Sequence, residues 1–140
     1  MRTDTRRAAA RLEQRALTCV LCRGEAILES TARGVAPLLG WLDSGTSFAD
    51  FSAADKVVGA GAAYLYVLLG VGEVYAAVIS EPAWEILTRF GVSVLFEQKV
   101  PHIVNRTGDG HCPIETAVAD AADPADALRR IRSRLAELRA

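Results

Sequence analysis

Residues 52–63, Ser-Ala-Ala-Asp-Lys-Val-Val-Gly-Ala-Gly-Ala-Ala, set a charged pair, Asp55 and Lys56, directly before a glycine-alanine run that opens an apolar segment. Their reading decides the fold. With a strand over Phe48–Ala54 and a helix over Lys56–Leu69, the stretch is the hand-over from strand to helix. The same alternation continues as a strand over Glu73–Ile79, a helix over Pro82–Phe90 and a strand over Val92–Gln98. A βαβαβ order predicts three parallel strands joined by crossovers, with helices covering the sheet.

Upstream, Thr18–Cys22 and Ala26–Thr31 are short apolar runs separated by Arg23, Gly24 and Glu25, which reads as a β-hairpin added antiparallel to the sheet edge. Pro37 and Gly45 bracket a short helix in VAPLLGWLDSG. The first fifteen residues read as a weakly amphipathic helix, loose at its start, whose arginines are solvated. Downstream, Val100–His111 reads as loop and Pro113–Asp120 as helix. The last helix, 124–139, starts at Asp123-Pro124 and carries a stripe of Leu128, Ile131, Leu135 and Leu138. The expectation is one α/β domain spanning residues 1–140: a three-layer α/β/α sandwich on a mixed five-stranded sheet, an antiparallel hairpin followed by parallel βαβαβ.

Composition sets outer bounds. The chain has 140 residues, 51% hydrophobic and 24% charged, enough to build one core without staples. A formal net charge of -1 gives no field to recruit nucleic acid. The longest apolar run, Val57–Val71, is interrupted by glycines and is shorter than the roughly 20 residues a membrane helix needs. Three cysteines, with no charged start leading into an apolar leader, point to reduced thiols and a cytoplasmic location.

Gly59-Ala60-Gly61 invites a dinucleotide reading, but the third glycine of that fingerprint falls at Tyr64, and no Gly-Lys-Ser or Gly-Lys-Thr marks a P-loop. The small residues are better read as letting the helix approach the sheet. Asp55 suits the N-cap of that helix, whereas Lys56 in its first turn opposes the helix dipole, as does Arg33 before the preceding helix. Both cations stand where a strand hands over to a helix, the place where open α/β sheets bind anions. Ser80-Glu81-Pro82 is a competent helix start at another strand's carboxyl end. Cys112-Pro113-Ile114-Glu115 has capping-box spacing, and a thiol at a helix N-terminus gains thiolate character; His111 and His102 are candidate bases beside it. Cys19 and Cys22, three apart on a strand, point to opposite faces and make no zinc pair.

The motifs TARGVAPL, ADKVVGAGAA, VISEPA and VNRTGDGHCPIE, in this order, resemble an uncharacterised bacterial and archaeal family, a domain of unknown function with a cytidine-deaminase-like fold. The resemblance implies the same three-layer sandwich. Deaminases of that fold place His-x-Glu or Cys-x-Glu after the hairpin and Pro-Cys-x-x-Cys at the next helix start, to hold zinc and activate water. Here those places read Ala32-Arg33-Gly34 and Asp55-Lys56-Val57-Val58-Gly59, so the resemblance implies a fold and a site location and argues against zinc-dependent deamination.

The leading expectation is a protein that binds a small molecule, a nucleotide or another phosphorylated ligand, without metal or cofactor. The ligand would meet Arg33, Gly34, Gly59, Ser80, Asn105, Arg106 and Glu115. A second reading is a zinc-independent enzyme with Asp55 or Glu81 as acid or base, Lys56 as electrostatic stabiliser and Cys112 as nucleophile. A third is a noncatalytic scaffold, a homodimer formed through its helices.

Overall fold

The structure, a computed structural model, describes residues 1–105 and 107–139. Arg106, one of the expected ligand contacts, lies outside the described residues. The elements run α1 (Thr3–Gln14), β1 (Cys19–Arg23), β2 (Ala26–Ser30), α2 (Ala36–Asp43), β3 (Ser52–Val58), α3 (Ala60–Leu69), β4 (Glu73–Ser80), α4 (Glu81–Arg89), β5 (Ser93–Val100), α5 (Pro113–Ala117) and α6 (Pro124–Arg139). The five strands form one sheet in the order β2-β1-β3-β4-β5. β1 pairs antiparallel with β2 and β3, while β3, β4 and β5 run parallel. This is the mixed sheet expected from hairpin plus βαβαβ.

Two apolar clusters define three layers. On one face α1 buries Ala8 and Leu12 against Val20, Cys22 and Ala54. On the other face lie α2 to α6, with α3 at the centre: Ala60 to Tyr66 and Leu69 are all buried. α1 is tied down by more than its apolar stripe. Arg11 Nε donates to Glu29 at 2.6 Å and Arg7 to the Gly24 carbonyl at 2.5 Å, so its basic face is partly spent on the hairpin rather than simply solvated.

The strand β3 departs from the expectation. It begins at Ser52 rather than Phe48 and carries Asp55 and Lys56 inside it. Phe48 and Phe51 belong to a turn, where the Phe51 amide donates to the Phe48 carbonyl and the rings pack edge to face at 5.2 Å. Asp55 is therefore not the N-cap of α3, and Lys56 does not oppose that helix's dipole; Gly59, in extended conformation, holds the cap position. The misplacement has a physical cause. Ser52 to Asp55 are all buried because α1 and α3 cover both faces of β3, so the strand shows no alternation and its polar residues look like punctuation.

The small residues of α3 also serve a different contact from the one expected. A Cβ at Gly61 would come within 2.5 Å of Ile114 Cγ2 and 3.6 Å of Ile131 Cδ1, so the close approach is to α5 and α6, not to the sheet. α6 starts as its sequence predicts, with Asp123 Oδ1 accepting the Asp126 amide at 2.7 Å. α5 is shorter than expected, ending at Ala117.

Candidate functional site

The carboxyl ends of β3 and β4 deliver Gly59 and Ser80 to the N-termini of α3 and α4. Each helix start leaves backbone donors without intrahelical partners. At α4 the Ser80 hydroxyl accepts the Ala83 amide at 3.2 Å. At α3, Gly59 has no side chain to do this, and the partner arrives from 55 residues away: Glu115 Oε2 accepts the Ala60 amide at 2.8 Å. The same oxygen accepts from the Ser80 hydroxyl at 2.5 Å, and Oε1 accepts the Ile103 amide at 2.6 Å. Glu115 is 8% exposed. A Cβ at position 59 would lie 3.2 Å from Glu115 Oε2 and 3.1 Å from Ile103 Cγ1, so glycine gives the carboxylate its room.

Gly59, Ser80 and Glu115 are thus brought together, although not by the expected capping box. In that motif Glu115 would reach back to the Cys112 amide, but that amide donates to the Ile103 carbonyl at 2.9 Å and Glu115 is directed inward. Cys112 is the N-cap of α5 by position, half-buried, with no side-chain cap bond.

Beside this junction an open groove of about 710 Å³ runs between α4 and α5. Ala60 and Tyr64 come from α3; Trp84, Glu85, Thr88 and Arg89 from α4; His102 and His111 from the loop; Glu115 and Thr116 from α5. The two imidazoles stack, with centroids 3.9 Å apart and planes 3° from parallel. An isolated bridge between Val104 and His111, together with the Cys112-to-Ile103 bond, folds the loop back on itself and aligns them. Arg89 Nη2 donates to the Tyr64 hydroxyl at 3.4 Å, and no described carboxylate pairs with that guanidinium. The Lys99 ammonium stands 4.7 Å from the Trp84 ring centroid.

The remaining expected residues lie elsewhere. Arg33 and Gly34 are exposed in the turn before α2, with Gly34 at φ +68°. Lys56 and Glu81 are exposed and do not line the groove. Asn105 is engaged in a tight turn with Thr107 and Asp109. Asp55 is enclosed in the core, where Tyr66 donates to Oδ2 at 2.6 Å and the Val57 amide to Oδ1 at 3.2 Å; burial pushes its carboxyl up to about 7. Asp55, Lys56, Glu81 and Cys112 share no hydrogen bond or ion pair among the described residues. Nor do those residues gather three or more His, Cys, Asp or Glu side chains in a metal-binding cluster. No described helix is long and apolar enough to cross a membrane.

The groove was hidden from motif reading. Trp84, Glu85, Thr88 and Arg89 share one helical face, which a wheel of α4 could have revealed, but only the fold sets that face opposite His102 and His111.

The model of a family described as a domain of unknown function, DUF1893, matches residues 7–135. The chain belongs to that family. A crystal structure of a DUF1893 family protein from Thermotoga maritima aligns with a TM-score of 0.87 at 26% identity, covering 96% of this chain and 92% of that one. The apo dCMP deaminase of the cyanophage S-TIM5 aligns with a TM-score of 0.44 at 15% identity, over 60% of this chain and 79% of that one. No curated protein matches. The resemblance carried by the four motifs is to this DUF1893 group, and the Thermotoga maritima protein shares the fold over nearly the whole chain.

Proposed function

We propose that this DUF1893 chain binds a small anionic ligand of nucleotide type in the groove between α4 and α5. The observation that carries the reading is the composition of the groove walls: the partly buried Trp84 offers aromatic surface, while Arg89 and the stacked His102 and His111 offer nitrogen donors. A planar base suits the first and a phosphate the second. The volume, about 710 Å³, falls in the range typical of small-molecule sites, roughly 300–1,000 Å³.

This reading moves the anion away from the start of α3. There the protein's own Glu115 already accepts the Ala60 amide, so a phosphate would have to displace a buried carboxylate. Arg33 and Lys56 then serve at most a distal part of the ligand.

Titration calorimetry with nucleoside mono-, di- and triphosphates tests the proposal. Saturable binding to the parent chain should weaken by about tenfold or more, some 1.4 kcal/mol, in a folded His102→Ala, His111→Ala double variant. Equal affinity in that variant, or no heat with any nucleotide, sinks it.

A further inference from the structure

Glu115 lines the groove, yet its carboxylate is held by three donors of the protein itself. Its donors come from three separate segments: the first turn of α3, the β4–α4 junction and the stretch after β5. The third donor, the Ile103 amide, follows His102 directly. The carbonyl of the same residue accepts the Cys112 amide, which follows His111 directly. One residue, held through its amide by Glu115 and through its carbonyl by the base of α5, therefore links the backbone on both sides of the stacked pair.

We propose that Glu115 is a positioning residue. It is an internal carboxylate that occupies the anion cradle at the start of α3 and, by clamping Ile103, holds His102 and His111 stacked against the groove. The device has two consequences for the ligand site. The cradle is closed to a ligand's anion, which directs the anionic end to Arg89 and the histidines. The imidazole pair is also preorganised, so its ordering cost is met during folding rather than on binding. Gly59 fits the device, since any side chain there would press on both Glu115 and Ile103.

Glutamine is a poor substitute here. Its amide offers one acceptor oxygen and two donors, whereas all the neighbours are donors. Alanine removes the carboxylate and leaves a cavity shaped for a small one. That suggests a test which a merely space-filling role would not pass, namely rescue by formate.

The purpose assigned to the clamp rests on the proposed ligand site, but the clamp itself is read without nucleotide. Histidine ring protons of the full chain would be followed by NMR in the parent and in Glu115→Ala. The parent should show ring-current-shifted signals that ignore formate. Glu115→Ala should lose those shifts, and formate should restore them in a saturable way. Unchanged histidine signals in folded Glu115→Ala overturn the inference, and so do lost signals that formate leaves unmoved. If Glu115→Ala does not fold, Ser80→Ala removes one donor to the same oxygen; partial loss of the shifts supports the clamp and no change overturns it. A parent chain that shows the shifts and formate behaviour but binds no nucleotide would refute the ligand reading alone.

Discussion

Tyr66, in α3, donates a hydrogen bond from its hydroxyl to Asp55, in β3, across 2.6 Å of the buried interior. Two donors address the Asp55 carboxyl, the Tyr66 hydroxyl and the Val57 amide, and each favours the charged form; burial outweighs them and the group is pushed up to about 7. Cys19, its cross-strand neighbour, is pushed up in turn by burial and then by Asp55. The charged pair that opened the sequence therefore divides: Lys56 faces solvent, and Asp55 is a buried titrating group of the core.

That carboxyl should make stability depend on pH. Its folded value, about 7, lies above the ordinary 3.8, so the folded state holds a proton that the unfolded state releases. The contribution is present in full below pH 4 and is lost as pH rises through 7, by about 4 kcal/mol at most. Asp55→Asn keeps an acceptor for Tyr66 but cannot ionise. Relative to the parent it should be more stable at pH 8 and similar at pH 4 in urea titrations; a constant difference across that range would contradict the assignment. Tyr66→Phe should steepen the dependence by removing a bond that lowers the value.

The thiols should separate kinetically. Cys19 and Cys22 are buried on opposite faces of the sheet, and burial raises both above the ordinary range. Cys112 is half-buried at the start of α5. Iodoacetamide should label Cys112 in the native protein while the other two react only after urea unfolding, as peptide mass mapping would report. Labelling of Cys22 at the rate of Cys112 would mean that α1 leaves its face readily.

Much of the architecture was legible because its signals are local. Gly24 between two apolar runs marks the hairpin, Ser80-Glu81-Pro82 starts α4, and Asp123-Pro124 starts α6; each needs only a few neighbouring residues to be read. β3 was misplaced because both of its faces are covered, which erases the alternation that betrays a strand. The site was legible only in its location. Ser80, Gly59 and Glu115 were each singled out, but as separate helix-end residues, since a bond spanning 55 residues leaves no trace in spacing. The stacked histidines were visible only as partners for Cys112, because their facing wall is a helix face that sequence alone cannot aim.

The stripe on α6 is unequal. Ile131 is fully buried against α3 and near Gly61, whereas Leu138 is 57% exposed. Ile131→Ala should cost about 3 kcal/mol, the usual result of emptying a packed site, while Leu138→Ala stays within about 0.5 kcal/mol. Chemical denaturation of both variants checks this; similar losses would indicate that Leu138 is covered in solution by something else, such as a second copy of the chain.

Two glycines inside helices offer the sharpest comparison of packing with propensity. An added methyl at Gly40, in α2, meets nothing within 4 Å, whereas at Gly61, in α3, it meets Ile114 Cγ2 at 2.5 Å. Alanine is worth up to about 1 kcal/mol over glycine in a helix, so Gly40→Ala should stabilise the chain by about that amount. At position 61 the same gain is set against overpacking of about 1–3 kcal/mol. Ile114 is β-branched and cannot swing its methyl aside cheaply. α5 must then shift, and with it Glu115, the next residue, so Gly61→Ala should both lower the midpoint of denaturation and disturb the bonds to Ala60 and Ile103. Amide exchange at those two positions distinguishes the outcomes: faster exchange in Gly61→Ala but not in Gly40→Ala is expected, and protection equal to the parent in both would show that α5 does not depend on the bare face of α3.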